Sequence, residues 1–254
     1  MIELLNNVMS FVLWAVLFLI LTQIALQHLL GPYLVWKTER VPVSHDFPPQ
    51  DVNTFLGEQM PVVREAVAEL GTLEFVPAAV SVLEKTNSKA SFLVLQHNTE
   101  PISAMLVIAS HAKGSLFYTE FTQRYSDDTV LDVMNSPMPS LYPADQAKQV
   151  YRFPGMQIPE LLNAIKKLRS RLLPHKTPIR SLVIGSELTD LARWMDLEVA
   201  SLIERGYYRR AANGDQNRLS LKGACLFTWK MAWPWKPLRN VIEVARARRA
   251  LAAG

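Results

Sequence analysis

Residues 4–36 read LLNNVMSFVLWAVLFLILTQIALQHLLGPYLVW, a run of thirty-three positions without a formal charge. The hydrocarbon core of a bilayer is about 30 Å thick and a helix rises about 1.5 Å per residue, so about 20 apolar residues suffice to cross it. Residues 9–26 supply that length. The run therefore predicts a single N-terminal transmembrane helix, with residues 1–36 as the anchor.

The charges on either side of this run predict its orientation. No Lys or Arg precedes it, whereas Lys37 and Arg40 follow it, and positive residues favour the cytoplasmic side. We therefore expect a single-pass protein of the cell (inner) membrane, with the N-terminus outside and the rest of the chain in the cytoplasm. The single cysteine, Cys225, agrees with a reducing cytoplasm. The start Met-Ile-Glu lacks the basic residues of a cleaved signal peptide.

Polar and aromatic residues occupy the second half of the run. Gln23 and Gln27 share a helix face, and amides in lipid commonly bond to a neighbouring helix, which predicts a membrane-protein partner or a homodimer. The alternative is that both amides meet water near the headgroups. Residues 31–32, Gly-Pro, are expected to break or kink the helix. Tyr33 and Trp36 are predicted to lie at the membrane interface.

Charge is distributed unevenly along the remainder. Residues 41–165 carry 7 Lys and Arg against 14 Asp and Glu, whereas residues 166–254 carry 18 against 7. Such asymmetry is typical of a basic part with an anionic partner, either acidic lipid headgroups or nucleic acid. Acidic lipid is the simpler explanation, because the predicted anchor already holds the chain at a membrane. Each basic residue close to an acidic leaflet contributes about 1 kcal/mol of attraction.

The middle of the chain predicts a sheet. Residues 37–60 contain a proline-rich stretch and are expected to form a semi-rigid linker. Residues 61–71 predict a short helix. Five segments with a period of two follow, separated by short polar turns that imply antiparallel neighbours. These strands are 73–84, 91–97, 103–110, 115–124 and 129–135. Residues 61–156 therefore predict an antiparallel β-meander domain.

Residues 157–254 predict a basic, mainly helical unit. Pro159 opens a helix that stops before Pro174 and has a stripe of leucines. Its basic residues are either contacts to an anionic surface or a solvated face. These residues are Lys166, Lys167, Arg169 and Arg171.

The next stretch contains a short predicted strand, 181–185, a helix that ends at Gly206, and two segments around Asn213-Gly214, a strong hairpin signal. Residues of about 181–224 resemble the end of a winged-helix domain, with this hairpin as the wing. The resemblance implies that the preceding helix enters the DNA major groove. It also implies phosphate contacts from the basic residues of this region. These are Arg209, Arg210, Arg218 and Lys222.

The C-terminal segment is rich in tryptophan and arginine. Trp229, Trp233 and Trp235 predict either a segment at the membrane interface or a core helix under the sheet. An amphipathic helix is expected from about residue 238. Its arginines are predicted contacts to an anionic surface, namely Arg246, Arg248 and Arg249.

Motifs for catalysis and cofactor binding are missing from the sequence. It has no HExxH, GxSxG or glycine-rich phosphate loop, and Cys225 lies in an apolar run where a buried, inert thiol is expected. His45-Asp46 is expected to be a solvated pair. Carboxylates close together in the sequence are of the kind that binds a divalent ion or forms an acid–base pair; these are Glu120, Asp127, Asp128 and Asp132. Because they fall on different strands and a turn, we predict no metal, cofactor or catalytic residue.

The expected fold class is α+β, with one N-terminal transmembrane helix, an antiparallel β-meander domain and a basic C-terminal unit that contains a winged-helix-like hairpin. The leading hypothesis is a membrane-anchored, cytoplasm-facing binding, scaffold or regulatory protein without enzymatic activity. One alternative is a membrane-tethered regulator that binds nucleic acid. A second is a membrane-bound hydrolase whose site has no sequence motif.

Overall fold

A computed structural model describes residues 2–85, 88–111, 114–144, 147–180, 182–211 and 214–252. Among these residues helices and strands are mixed, as the α+β expectation requires. The helices are α1 (Ile2–Thr38), α2 (Val52–Glu58), α3 (Pro61–Thr72), α4 (Ile158–Leu172), α5 (Glu187–Glu204), α6 (Leu221–Met231) and α7 (Trp235–Ala252). The strands are β1 (Arg40–Pro42), β2 (Phe75–Lys85), β3 (Ser88–His97), β4 (Ile102–His111), β5 (Gly114–Tyr125), β6 (Val130–Met134), β7 (Lys148–Arg152), β8 (Pro178–Ile179), β9 (Tyr208–Arg209) and β10 (Gln216–Leu219).

The chain folds into two compact units, each made of two separate stretches. Unit 1 comprises Met1–Val43 and Val199–Arg239, and unit 2 comprises Ser44–Glu198 and Asn240–Gly254. These units differ from the consecutive segments 37–60, 61–156 and 157–254. The reason is that unit 1 joins the N-terminal helix to a hairpin more than 160 residues further along the chain.

Unit 2 is built on one large sheet with strand order β2-β3-β4-β5-β6-β7. Strands β2 to β6 pair antiparallel in sequence order, which confirms the predicted meander. Strand β7 adds in parallel to β6, and β8 pairs with the end of β5. Alternate residues of β5 face the core, where Phe121 and Tyr125 are fully buried. The predicted strand positions differ from the observed ones by only a few residues.

Helices cover the core face of this sheet. Helix α4 begins near Pro159 as predicted and buries Leu161, Ile165 and Leu168 completely. Helix α3 adds the buried residues Val63, Ala66 and Leu70 to the same core. The last part of α7 contributes Ala247.

The strand predicted at residues 181–185 is wrong. Residues 182–186 form bends and turns instead of the expected strand 181–185, and Ser181 lies outside the described residues. The Asp190 carboxylate accepts a hydrogen bond from the Val183 amide (2.9 Å), and Gly185 has a left-handed φ of 87°, so this stretch is a folded turn before α5. Within the expected linker 37–60, β1 and α2 form regular structure.

Unit 1 contains the apolar helix. Helix α1 is long and apolar enough to cross a membrane, and no residue of its most apolar 18-residue window is buried. Of the break or kink predicted at residues 31–32, the break does not occur, since α1 continues through Pro32 to Thr38. Thr228 of α6 packs against Gly31 in this turn of α1, next to the position where proline removes a backbone hydrogen bond. A small sheet of order β1-β10-β9 completes the unit.

Candidate anion-binding site

Helix α6 lies against the C-terminal turns of α1 in unit 1. Its buried residues include Ala224 and Thr228, and the Thr228 side chain fits against Gly31 of α1. The Ser220 hydroxyl caps α6 by accepting a hydrogen bond from the Gly223 amide (3.0 Å). These contacts place α6 beside the point where the most apolar part of α1 ends.

The opposite face of α6 is apolar and exposed. Leu221, Cys225 and Trp229 recur every four residues, so they share one face of the helix. Leu221 is 54% and Trp229 51% exposed. The exposure of Cys225 corrects the expectation of a buried thiol. Trp233 is also exposed, and the Trp235 ring stacks on Trp229 at 5.0 Å, so these rings do not form a core beneath a sheet.

Three arginines stand side by side across the small sheet of unit 1. Arg40 of β1 pairs with Arg218 of β10, and Arg218 pairs in turn with Arg209 of β9. Directly opposite residues of an antiparallel pair project from the same face, with Cα atoms about 5 Å apart, and like charges in that position destabilise the sheet. Among the described residues, none of these three arginines forms a salt bridge with a carboxylate. The row therefore concentrates positive charge that an external anion can neutralise.

Hydrogen bonds hold the three strands in this register. The buried Asn217 donates from Nδ2 to the Pro42 carbonyl (3.3 Å) and accepts through Oδ1 from the Ala211 amide (3.3 Å). The Val43 amide also donates to the Asp215 carbonyl (2.8 Å). Because Asn217 of β10 forms hydrogen bonds to both neighbouring segments, the fold itself fixes the relative positions of the three arginines.

The row opens onto a cleft of about 740 Å³. The end of α1 contributes Trp36 and Lys37, and the hairpin contributes Arg210. Together with the three arginines of the row, five cations face the cleft, while Asp215 is the one acidic residue in the described lining. The cleft is thus strongly positive.

The sequence predicted only part of this site. Arg209, Arg210 and Arg218 were expected to contact phosphate, and the structure brings them together. Lys37 and Arg40 predict only the orientation of the helix, and their position directly after the apolar helix is the sequence signal that connects them to this site. Lys222 lies outside the described cleft lining. Its ammonium donates to the Arg205 carbonyl (2.7 Å) and lies 4.8 Å from the Tyr207 ring centroid.

The other predicted basic contacts lie in unit 2. On α4, Lys166 and Arg169 both form salt bridges with Glu100, and Arg171 donates to the Ala250 carbonyl (2.7 Å), so these charges serve the fold. Lys167 is exposed on the same helix. On α7, the three predicted arginines are exposed, namely Arg246, Arg248 and Arg249.

Side chains predicted to meet the membrane are exposed on α1. Gln23 and Gln27 are both exposed, and so are Tyr33 (52%) and Trp36 (37%). The rings of Tyr33 and Trp36 lie 6.2 Å apart. The last turn of α1 therefore carries an aromatic pair directly beside the basic cleft.

A second polar cluster lies on the non-core face of the unit 2 sheet. The Thr122 hydroxyl donates to Oδ1 of the buried Asp132 (2.8 Å), and Lys148 Nζ lies 3.0 Å from Asp132 Oδ2. Lys148 also lies 3.7 Å from Glu198 Oε2. Burial, the Asp132 charge and a hydrogen bond between the two carboxyl groups raise the pKa of Glu120 to about 8. The Asp132 carboxylate in turn raises the pKa of Lys148.

Glu120 and Asp132 belong to one group of carboxylates in the sequence, but their contact was not predicted because they lie on different strands. The antiparallel register, with Thr122 opposite Asp132, brings them together. Asp127 and Asp128 remain in the turn, where they pair with Lys176 and Arg124. In the described part of the chain, no group of three or more His, Cys, Asp or Glu side chains is arranged to hold a metal ion.

His45 also has a different partner from the one expected. Its Nδ1 lies 2.7 Å from Asp196 Oδ1, and its backbone amide donates to the same oxygen (2.8 Å). The His45 ring lies nearly parallel to that of Phe47, with centroids 6.4 Å apart. The His45–Asp196 interaction therefore connects the start of unit 2 to α5, whereas the sequence predicted a solvated His45-Asp46 pair.

These observations define an α+β protein with one N-terminal helix long and apolar enough to cross a membrane. Comparisons with protein families, curated proteins and solved structures found no match.

Proposed function

We propose that this chain is a single-pass, non-enzymatic binding protein of the cell membrane, with a scaffold or regulatory role and a basic face for acidic lipid headgroups or a partner. The observation that carries the proposal is the arginine row, which begins at Arg40, two residues after the end of α1, in the same compact unit as the apolar helix. A membrane-spanning α1 would hold this row at headgroup depth.

The length of α1 supports this placement. Residues 7–30 form a helical segment of about 36 Å, enough for a hydrocarbon core of about 30 Å. The next turns carry Tyr33 and Trp36, and α6 packs beside them with Trp229 outward. Aromatic rings at this depth favour the interface between lipid and water. Lys37 and Arg40 favour the cytoplasmic side for this end of the helix.

Exchange of backbone amides in the full chain tests the lipid contact. The protein is placed in nanodiscs of phosphatidylcholine alone or with added phosphatidylserine, and hydrogen exchange is followed in residues 208–219. We expect slower exchange only on the acidic bilayer, and loss of this effect in Arg209→Glu/Arg218→Glu. The matched control is Arg64→Glu/Arg193→Glu, with the same charge change on exposed residues of unit 2. Equal exchange of the wild-type hairpin in both bilayers would refute the lipid contact.

Sidedness has its own test. In sealed cells, protease added from outside is expected to leave the body of the chain intact. In inverted membrane vesicles the same protease is expected to digest it. The reverse pattern would show that the orientation is wrong.

A partner within the membrane is also part of the proposal. Gln23 and Gln27 expose two amides on one face of α1, and a second helix of the same chain or of another membrane protein would give them hydrogen-bond partners. Cross-linking in membranes is expected to trap a complex that Gln23→Leu/Gln27→Leu weakens. An unchanged cross-linking pattern would contradict this role.

Nucleic-acid binding is the second candidate, because two of the three arginines of the row, Arg209 and Arg218, lie on the wing-like hairpin formed by β9 and β10. A site of this kind would bind duplex DNA with an affinity that falls steeply as salt rises. Electrophoretic mobility shifts of the full chain in neutral detergent test this at 50 and 200 mM salt. Absence of binding at the lower salt concentration would exclude the candidate.

A membrane-bound hydrolase is the third candidate, and the Glu120–Asp132 pair supports it. A carboxyl group that keeps its proton near neutral pH can act as a general acid beside an ionised carboxylate. The test is hydrolysis of a panel of ester and glycoside substrates by the wild type and by Glu120→Gln. Activity that the substitution leaves unchanged would exclude this pair as the site.

A further inference from the structure

The arginine row differs from an ordinary basic surface in two ways. Arg40, Arg218 and Arg209 are fixed by strand pairing, and their positions converge on one cleft. A diffuse basic surface needs only net charge near the membrane. A row in register places several guanidinium groups within reach of one small anion.

Part of this arrangement is already ordered. Arg40 is half-buried, and its Nη1 donates to the carbonyls of Glu39 (2.8 Å) and Trp36 (3.3 Å) at the end of α1. Arg218 of the central strand β10 and Arg209 of the neighbouring strand β9 are exposed. Ordering a side chain before binding reduces the entropy lost when the ligand binds.

The chemistry of arginine indicates the ligand. A guanidinium group presents two parallel N–H donors that match two oxygens of a phosphoryl group, whereas a lysine ammonium acts as a point charge. Three neighbouring arginines can therefore share one tetrahedral phosphate. The cleft of about 740 Å³ has room for a phosphate with an attached headgroup.

The geometry points to a discrete phosphate site in the cleft between the end of α1 and the β9–β10 hairpin, which binds the phosphoryl group of a lipid headgroup or of a soluble phosphate ester. This inference rests on the proposed binding function and names the ligand of that face. It requires saturable binding that depends on guanidinium geometry, beyond a general attraction to negative charge.

Calorimetric titration of the full chain in neutral detergent tests the site. The ligands are dihexanoyl phosphatidic acid below its micellar concentration, glycerol 3-phosphate, and dihexanoyl phosphatidylcholine as a headgroup without net charge. We expect saturable binding of at least one of the two anionic ligands. The key variant is Arg209→Lys/Arg218→Lys, which keeps the charge and removes the forked donors. It should bind at least about tenfold more weakly, while Arg64→Lys/Arg193→Lys, on exposed residues of unit 2 away from the cleft, should bind as the wild type does.

The two anionic ligands distinguish the sources of phosphate. Similar affinity for both would assign a soluble phosphate ester, and at least tenfold tighter binding of the lipid would assign a headgroup. Thermal unfolding of each variant verifies that the fold is intact.

Wild-type affinity in Arg209→Lys/Arg218→Lys, or no saturable binding of either anionic ligand, would overturn the site. The proposed function can survive that result. If Arg209→Glu/Arg218→Glu abolishes the slower hydrogen exchange that the wild-type hairpin shows on acidic nanodiscs, the hairpin still contacts the membrane, through a diffuse electrostatic attraction. If the wild-type hairpin also shows no slower exchange on acidic nanodiscs, both the phosphate site and the proposed lipid contact are refuted.

Discussion

Lys148 of β7 forms an ion pair with the buried Asp132 of the neighbouring strand β6, with Nζ and Oδ2 3.0 Å apart. The Lys148 ammonium is the positive group beside two carboxyl groups, because Glu120 interacts with the same aspartate. Lys148 therefore supplies the ammonium group that compensates the buried charge of Asp132 on the non-core face of the sheet.

Removal of that ammonium group should destabilise unit 2. Lys148→Met leaves Asp132 charged and buried, which typically costs about 3–5 kcal/mol, and the partial exposure of Lys148 reduces this to about 2–3 kcal/mol. Thermal unfolding in neutral detergent is expected to shift down by several degrees. Lys148→Arg keeps the charge and should lose much less. Equal melting temperatures for Lys148→Met and the wild type would show that the pair contributes nothing.

Stability should depend on the protonation of Glu120. Its pKa is about 8 in the fold and near 4.5 when unfolded, so folding favours the protonated form. The resulting stability is fully present below about pH 4.5 and is lost as the pH rises through about 8. Glutamine mimics the protonated carboxyl group.

Glu120→Gln should therefore unfold at a higher temperature than the wild type at pH 8.5 and at nearly the same temperature at pH 4.5. Circular dichroism melts across this pH range measure the difference. A constant difference at every pH would mean that Glu120 does not titrate in this way.

The contact between α1 and α6 should be sensitive to side-chain size at Gly31. A Cβ atom at this position would lie 2.7 Å from Thr228 Cγ2, so Gly31→Leu must push α6 away. Overpacking of this kind costs about 1–3 kcal/mol. We expect faster proteolysis and hydrogen exchange in residues 221–231. The control is Gly57→Leu, since no atom lies within 4 Å of a Cβ built on Gly57; the same exchange in both variants would contradict the packing.

The exposed arginines of α7 should add to membrane binding. A chain that lacks residues 1–30 keeps Gly31 and loses the apolar helix, so its residual binding reports the basic surface. Arg246→Glu/Arg248→Glu is expected to weaken its binding to phosphatidylserine vesicles at least about thirtyfold in a sedimentation assay, since the two lost positive charges remove about 1 kcal/mol each. Arg64→Glu/Arg193→Glu is the control with equal charge change. If both variants lose the same amount, only net charge matters.

Local patterns predicted most of the secondary structure. The period of two in residues 73–135 produced the meander, because short polar turns permit little besides antiparallel neighbours. The leucine stripe after Pro159 predicted α4 correctly. The prediction failed at residues 181–185, where a short apolar run forms a turn whose amides bond to side chains of α5.

The candidate site was only partly predictable. Basic residues of the hairpin were found because charge and the Asn-Gly turn signal lie close together in the sequence; Asn213 itself lies outside the described residues. Arg40 was missed as a site residue because its partner strand lies far along the chain. The basic residues of α4 were predicted to contact an anionic surface, but two of them pair with Glu100. Glu100 lies outside the helix, so the helical pattern does not reveal this contact.

The sequence by itself determined the long apolar helix, the antiparallel order of the meander and the excess of positive charge near the C-terminus. Each of these depends on residues that are neighbours in the chain or on composition. Tertiary structure alone decided that Arg40 joins Arg218 and Arg209, and that Glu120 meets Asp132. The physical reason is that strand register is set by long-range hydrogen bonds and by burial of whole faces, so a short segment does not specify which charges will be opposite one another.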